Sequence, residues 1–206
     1  MTAKIAVIYY SATGNVYNLA RAVAEGAEKA GAEVRLRRVP ELAPDSAIDA
    51  NPAWRAHVDS VAGKVELATH DDLIWADGFA FGSPTRYGNI ASQLKQFIDT
   101  TGPLWAEGKL AGKPSTAFTS AANTHGGNES TLLALYNTMY HWGSIIVPPG
   151  YTDPSISEAY GNPYGIALPG GSGEPTEAIL TAARYQGYRL ATVTEKLLGQ
   201  PEAQAA

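Results

Sequence analysis

The apolar run Ile5-Ala6-Val7-Ile8-Tyr9-Tyr10 stops abruptly at Ser11-Ala12-Thr13-Gly14-Asn15, and an amphipathic pattern starts at Val16. No other junction constrains the fold as much. A run that is apolar at every position predicts a central parallel strand, buried on both faces. Val16, Leu19, Ala20, Val23 and Ala27 then mark one face of a helix, and Arg21, Glu25, Glu28 and Lys29 mark the other. A buried strand that turns straight into a helix leaves the helix's first N–H groups at the strand's carboxyl end. Together with the positive end of the helix dipole, those groups favour an anion. Ser11, Thr13 and Asn15 add short neutral donors, and Gly14 permits close backbone approach. The stretch is read as a cradle for the phosphate of a flavin nucleotide. An ordinary βα turn capped by Ser or Asn fits the same spacing.

Gly31 is placed to end the helix in the left-handed conformation. Residues 33–39 read as a more polar strand near an edge, which completes a right-handed βαβ unit. Residues 40–64 show little periodicity and read as a surface excursion with one short helix. Thr69-His70-Asp71-Asp72 offers a capping pattern before a helical turn. Residues 78–82 read as a third strand and 83–89 as a loop. Ile90, Leu94, Phe97 and Ile98 mark a helical face. Residues 114–119 read as a fourth strand and 120–128 as a polar loop. Leu132, Leu133, Tyr136, Met139 and Tyr140 mark the next helical face, and residues 145–147 a fifth strand. A Gly- and Pro-rich stretch, 148–175, is too long to be idle in a compact domain. The last helix spans about 176–198, with Ile179, Ala183, Leu190, Val193 and Leu197 on its buried side. The reading is one domain over 1–200, with 201–206 as a frayed tail.

Five strands alternating with helices predict a doubly wound, five-stranded parallel sheet in a three-layer α/β/α arrangement. Ligands in such sheets bind beyond the carboxyl ends of the strands, where the strand order reverses. The loops 11–15, 83–89 and 120–128 all fall at that edge.

Composition narrows the function. The chain has 206 residues and no cysteine, so disulfides and thiolate metal sites are excluded. The four histidines, His57, His70, His125 and His141, lack the i, i+4 spacing of a metal pair, so no metal is expected. A net charge of −5 without a basic tract argues against nucleic acid as the main partner. No run is long enough to insert in a membrane, and no leader pattern precedes the first strand. A cytoplasmic location is the expectation. Neither G-x-x-x-x-G-K-[ST] nor G-x-G-x-x-G occurs. The first loop has no Lys or Arg, which suits a bound cofactor that is not chemically transferred. The second loop, Pro84-Thr85-Arg86-Tyr87-Gly88-Asn89, offers backbone donors, a cation and an aromatic face, all of which a flavin ring uses. The third loop, Ser120-Ala121-Ala122-Asn123-Thr124-His125-Gly126-Gly127, is suited to wrapping the ring's pyrimidine edge. Trp105, in Gly102-Pro103-Leu104-Trp105, is either core or an exposed stacking wall.

The second loop, Thr101-Gly102-Pro103-Leu104-Trp105-Ala106, Pro149-Gly150-Tyr151, Asn162-Pro163-Tyr164-Gly165 and Ala183-Arg184-Tyr185-Gln186-Gly187 together resemble the WrbA family of flavodoxin-like NAD(P)H:quinone oxidoreductases. The resemblance spans nearly the whole chain. It implies FMN as cofactor, NAD(P)H as hydride donor, two-electron reduction of quinones, and a homotetramer; one pocket shared by both substrates would make the turnover ping-pong. By position it places the FMN phosphate on Ser11, Ala12, Thr13, Gly14, Asn15 and Val16. It places the ring against Pro84, Thr85, Arg86, Tyr87 and Gly88, and against Ser120, Ala121, Ala122, Asn123, Gly126 and Gly127. His141 falls where the family has a histidine near the flavin and is the candidate for stabilising the reduced ring's charge. Trp105, with Thr13 and Tyr87, falls in the substrate pocket. In the family that pocket is assembled from more than one subunit, which would account for the long loop 148–175. The chain departs from the family's Ser-x-Tyr-Gly-His in the first loop, where Thr13 removes an aromatic ring from the pocket mouth. Asn123 and His125 add bulk to the third loop.

Two other readings compete. A one-electron flavodoxin-type carrier needs a strongly acidic face and no second substrate pocket; the modest charge and Trp105 speak against it. A flavin-free scaffold or regulatory protein of the same fold is the other. A phosphoacceptor receiver fits poorly, because the first strand ends in Tyr-Ser rather than in acidic residues.

Overall fold

A computed structural model describes residues 2–170 and 173–199, and the expected tail at 201–206 lies outside them. The chain runs β1 (Lys4–Tyr9), α1 (Asn15–Lys29), β2 (Glu33–Arg38), α2 (Asp45–Asp49), α3 (Pro52–Val61), α4 (His70–Trp75) and β3 (Gly78–Arg86). It continues through β4 (Asn89–Ile90), α5 (Ser92–Asp99), α6 (Gly102–Ala106), β5 (Pro114–Ser120) and α7 (Asn128–Trp142). It ends with β6 (Ile145–Ile146), α8 (Pro154–Glu158), β7 (Ala167–Leu168) and α9 (Glu177–Leu198). The main sheet has the order β2-β1-β3-β5-β6, and every pair along it is parallel. The expected doubly wound sheet is therefore present, and the winding reverses between β1 and β3.

Side-chain alternation along β1 separates the two cores. Ile5, Val7 and Tyr9 pack with α1 and α9 on one face; Ala6, Ile8 and Tyr10 pack with α4, α5 and α7 on the other. The predicted stripe on α1 is buried throughout, and Gly31 follows it at φ +89°, with its N–H on the Glu28 carbonyl at 2.8 Å. Thr69 and Asp72 form the expected capping box at α4.

The structure corrects several expectations. β3 runs to Arg86, so the second loop is largely strand and closes as a β3–β4 hairpin that takes in Ile90. The excursion after β2 holds two helices, not one. Leu133 and Tyr140 are 43% and 62% exposed. Spaced seven apart, they share the outer side of α7, while Leu132, Leu135, Tyr136, Met139 and Trp142 form its buried side. On α9 the buried stripe closes at Thr194, leaving Val193 half-buried and Leu197 exposed. The fifth strand position is split. β6 pairs with Pro114 and Ser115, and β7 occupies the same edge opposite Thr119 and Ser120. The stretch between them carries α8, which packs on α9.

The Ala183-Arg184-Tyr185-Gln186-Gly187 segment fastens α9 to the rest. Gln186 is buried; its amide donates to Thr116 Oγ1 (2.6 Å) and the Ala117 carbonyl (2.8 Å) and accepts from Ile166 N–H (2.8 Å). Arg184 pairs with Glu25 and Glu177. A Cβ on Gly187 would come within 1.9 Å of the Val23 carbonyl oxygen, and one on Gly26 within 1.8 Å of the Arg184 carbonyl oxygen. These two glycines let α1 and α9 touch backbone to backbone. Gly26→Ala is therefore expected to cost roughly 2–3 kcal/mol by overpacking, although Ala is favoured over Gly in a helix by about 1 kcal/mol. Urea unfolding measures this directly; a neutral or stabilised variant would contradict the close approach.

Candidate functional site

The carboxyl ends of β1, β3 and β5 bring the three polar loops around one cavity of about 480 Å³, an ordinary volume for a small-molecule site. Its walls are residues 11–13, 15 and 16 of the first loop, 84–87 of the second, and 120–123 with 126 of the third. Gly14, Gly88 and Gly127 shape these loops from behind, at φ +99°, +75° and +90°. A Cβ on Gly127 would stand 2.7 Å from the Gly88 Cα, so the second and third loops meet through bare backbone.

α1 opens on this cavity without a cap. Gly14 is its N-cap, and no side chain caps the helix. Ser11 Oγ accepts from Gly14 N–H at 3.1 Å. The N–H groups of Asn15, Val16 and Tyr17, in the first helical turn, have no protein acceptor among the described residues. A phosphate would satisfy them, and the strand-to-helix turn fits that group. The other two loops are latched to each other. Thr85 Oγ1 accepts from Gly88 N–H (3.1 Å) and donates to the Gly126 carbonyl (3.2 Å). Thr131 Oγ1 lies 2.8 Å from both Thr85 Oγ1 and the Gly127 carbonyl oxygen. Arg86 is the cation on the wall, and its guanidinium donates to the Thr85 carbonyl.

The hairpin tip is strained. Tyr87 (φ +52°) and Gly88 (φ +75°) are its two central residues, between the pairs Arg86–Asn89 and Thr85–Ile90. Such a turn favours Asn-Gly, and a tyrosine in the left-handed region costs energy. Tyr87 is also fully exposed, so the strain holds an aromatic ring free at the cavity's lip.

One wall is absent from the sequence reading. Asn51 and Trp54 line the cavity from the start of α3. Asn51 Oδ1 caps that helix by accepting from Ala53 and Trp54 N–H, which leaves its Nδ2 as a donor. Trp54 Nε1 donates to Glu41 Oε2 at 2.9 Å, as does Tyr10 Oη at 2.8 Å. Glu41 Oε1 accepts from Gln93 Nε2 (2.7 Å) and from Leu42 and Ala43 N–H. Burial opposes ionisation of Glu41, but the Ala43, Gln93, Tyr10 and Trp54 donors outweigh it and hold the carboxyl below the usual range. Burial and the adjacent Glu41 push the Tyr10 phenol up, so it stays a donor. The signal for this wall was Asn51-Pro52, an N-cap residue followed by a proline suited to the first helical turn.

Two expected site residues stand elsewhere within one chain. His141 is exposed near the end of α7, where Gly143 meets Gly112 just before β5 begins. Helix α7 starts at the cavity, so its length of about 20 Å separates the two. Trp105, 56% exposed, donates from Nε1 to the His141 carbonyl at 2.8 Å. The two form a joint patch outside the cavity. His125 is exposed and off the cavity wall, whereas Thr13 and Asn123 are on it.

Comparison with known proteins gives the family and the fold. Residues 3–155 match the NADPH-dependent FMN reductase family. The chain is 46% identical over 196 residues to a NAD(P)H dehydrogenase (quinone) of Deinococcus radiodurans, covering 95% of this chain and 98% of that one. It is 47% identical over 202 residues to a protein of the same name from Sinorhizobium fredii, with the same coverage. Among solved structures, a flavodoxin, WrbA-like protein from Agrobacterium tumefaciens superposes with a TM-score of 0.69 at 24% identity, over 95% of this chain and 99% of that chain, so the fold is flavodoxin-like. With a matching family model over most of its length and relatives this similar end to end, the chain belongs to the NADPH-dependent FMN reductase family.

Proposed function

We propose that the chain is an FMN-dependent NAD(P)H dehydrogenase (quinone) of the WrbA type, working as a homotetramer. The observation that carries this is the cavity at the β1–β3 reversal, with the uncapped amides of Asn15, Val16 and Tyr17 at one end and the latched second and third loops at the other. The names of the 46–47% identical relatives support the same activity.

In this reading the α1 amides, with the Ser11, Thr13 and Asn15 side chains, hold the phosphate. Neutral donors suit an anion that stays bound and is never passed on. Residues 84–87 and 120–126 flank the ring, and the Thr85–Thr131 latch keeps both segments in place. Bound FMN would supply hydride transfer, accepting from NAD(P)H and delivering to a quinone. The chain supplies position and a dry surface. One open mouth serves both substrates, so they bind in turn and turnover is ping-pong. Tyr87 covers whichever flat substrate occupies the mouth. Trp105 and His141 act at a partner subunit's mouth, since within a chain they lie at the far end of α7.

An anaerobic experiment tests the assignment. NADH or NADPH added to FMN-loaded protein should bleach the flavin absorbance, and benzoquinone should restore it. Absence of flavin binding, or bleaching without recovery on quinone, would contradict the assignment. The hairpin gives a second test. Tyr87→Asn places a residue that tolerates the left-handed region at the tip, and it should raise stability by about 0.5–1 kcal/mol. The same variant should raise the quinone KM several-fold with flavin retained, and an unchanged KM would remove Tyr87 from the substrate site.

A further inference from the structure

The first loop carries no cationic side chain, yet α3 lays an imidazole against it. His57 is 92% buried, and its Nδ1 lies 3.5 Å from the position a Cβ on Gly14 would take. Its backbone carbonyl accepts from Ser60 Oγ, but neither ring nitrogen has a hydrogen-bond partner among the described residues. Neither nitrogen is among the fully enclosed side-chain atoms that lack a partner, so the ring edge keeps a little contact with solvent while no protein group bonds it. Here the neighbouring group is the N-cap of a helix whose first amides are also without acceptors.

The surroundings of His57 are small and mixed in charge. From α1, the Tyr17 ring stands 5.6 Å away, centroid to centroid. From the end of β1 comes Tyr9, from the residue after it Tyr10, from β2 Arg38, and from the following segment Glu41; with Ser11 and His57 these border a second cavity of about 30 Å³. Ser11 borders both cavities, so His57 lies directly behind the cradle. Glu41 is engaged by Tyr10, Trp54 and Gln93. Arg38 gives its Nε to the Val65 carbonyl. Arg55 and Asp59 on α3 pair with each other.

Resting on the flavin-nucleotide reading above, we propose that His57 is the counter-charge of the cradle: it takes up a proton when the phosphate ester binds at residues 11–16, so the chain holds phosphorylated flavin more tightly as pH falls. Burial first, and the Arg38 charge second, keep the free imidazole below its ordinary range. In the free chain at neutral pH it is therefore uncharged. An anion beside Gly14 works against both effects and draws the proton in. By linkage, affinity for the phosphate is greatest where His57 is protonated and falls as pH rises through the value of the bound state.

The test compares FMN and riboflavin, which share the ring and differ in the phosphate, on the wild-type chain and on His57→Gln. Dissociation constants come from flavin fluorescence between about pH 5.5 and about 8.5. The phosphate's own second ionisation near pH 6 is common to both chains and cancels in the comparison. Over that range, FMN affinity of the wild-type chain should fall roughly tenfold more than that of His57→Gln, and riboflavin affinity should show no such difference. Parallel FMN profiles in the two chains would overturn the role of His57 while leaving the flavin reading intact. Failure of the wild-type chain to bind FMN at any pH would overturn both. NMR of the histidine-labelled wild-type chain needs no variant: FMN added at neutral pH should convert the His57 ring to the imidazolium pattern, and a ring that stays neutral would refute the proposal.

Discussion

Parallel pairing of β1, β3 and β5 is the constraint from which the site follows. In a parallel sheet all strands end at the same edge, so the loops after Tyr9, Arg86 and Ser120 cannot avoid one another. Because the winding reverses between β1 and β3, a crevice opens there instead of a packed crossover. The same geometry aims the first amides of α1 into that crevice. It also places the end of α7 at the opposite edge, which is why His141 and Trp105 share a patch with each other and not with the cradle.

The cradle is built from neutral groups, and the nearby charge is held behind it. Glu41 is the clearest case. A half-buried carboxylate is costly to ionise, and five donors from the residue after β1, from α3, from α5 and from its own loop offset that cost. In return Glu41 ties α3 to β1 and α5, fixing the Trp54 indole on the cavity wall. Strain is spent at the opposite lip, where Tyr87 is held in a conformation suited to glycine or asparagine. Rigid walls, an open lip and an unsatisfied helix start are what a site for a flat, phosphorylated ligand needs.

What the sequence made legible was local. The strand–turn–helix at residues 5–30, its glycine terminator, the Thr69–Asp72 capping box and the three glycine-bearing loops each announce themselves within a few residues. The misses depended on distant partners. Pro84 and its polar neighbours read as loop, but pairing with β5 extends the strand through them. The fifth strand position is filled by two pairs of residues about twenty apart, a pattern no periodicity reveals. Leu133 and Tyr140 are apolar in type yet face outward. The α3 wall had a local signal in Asn51-Pro52, but nothing in the sequence tells that Trp54 reaches Glu41 or that His57 reaches Gly14.

The most direct test of the central claim is a crystal structure of the chain with FMN bound. The account predicts phosphate oxygens within hydrogen-bonding distance of the N–H groups of Asn15, Val16 and Tyr17, and the ring between residues 84–87 and 120–126. A phosphate held elsewhere, with those three amides turned to water, would contradict it.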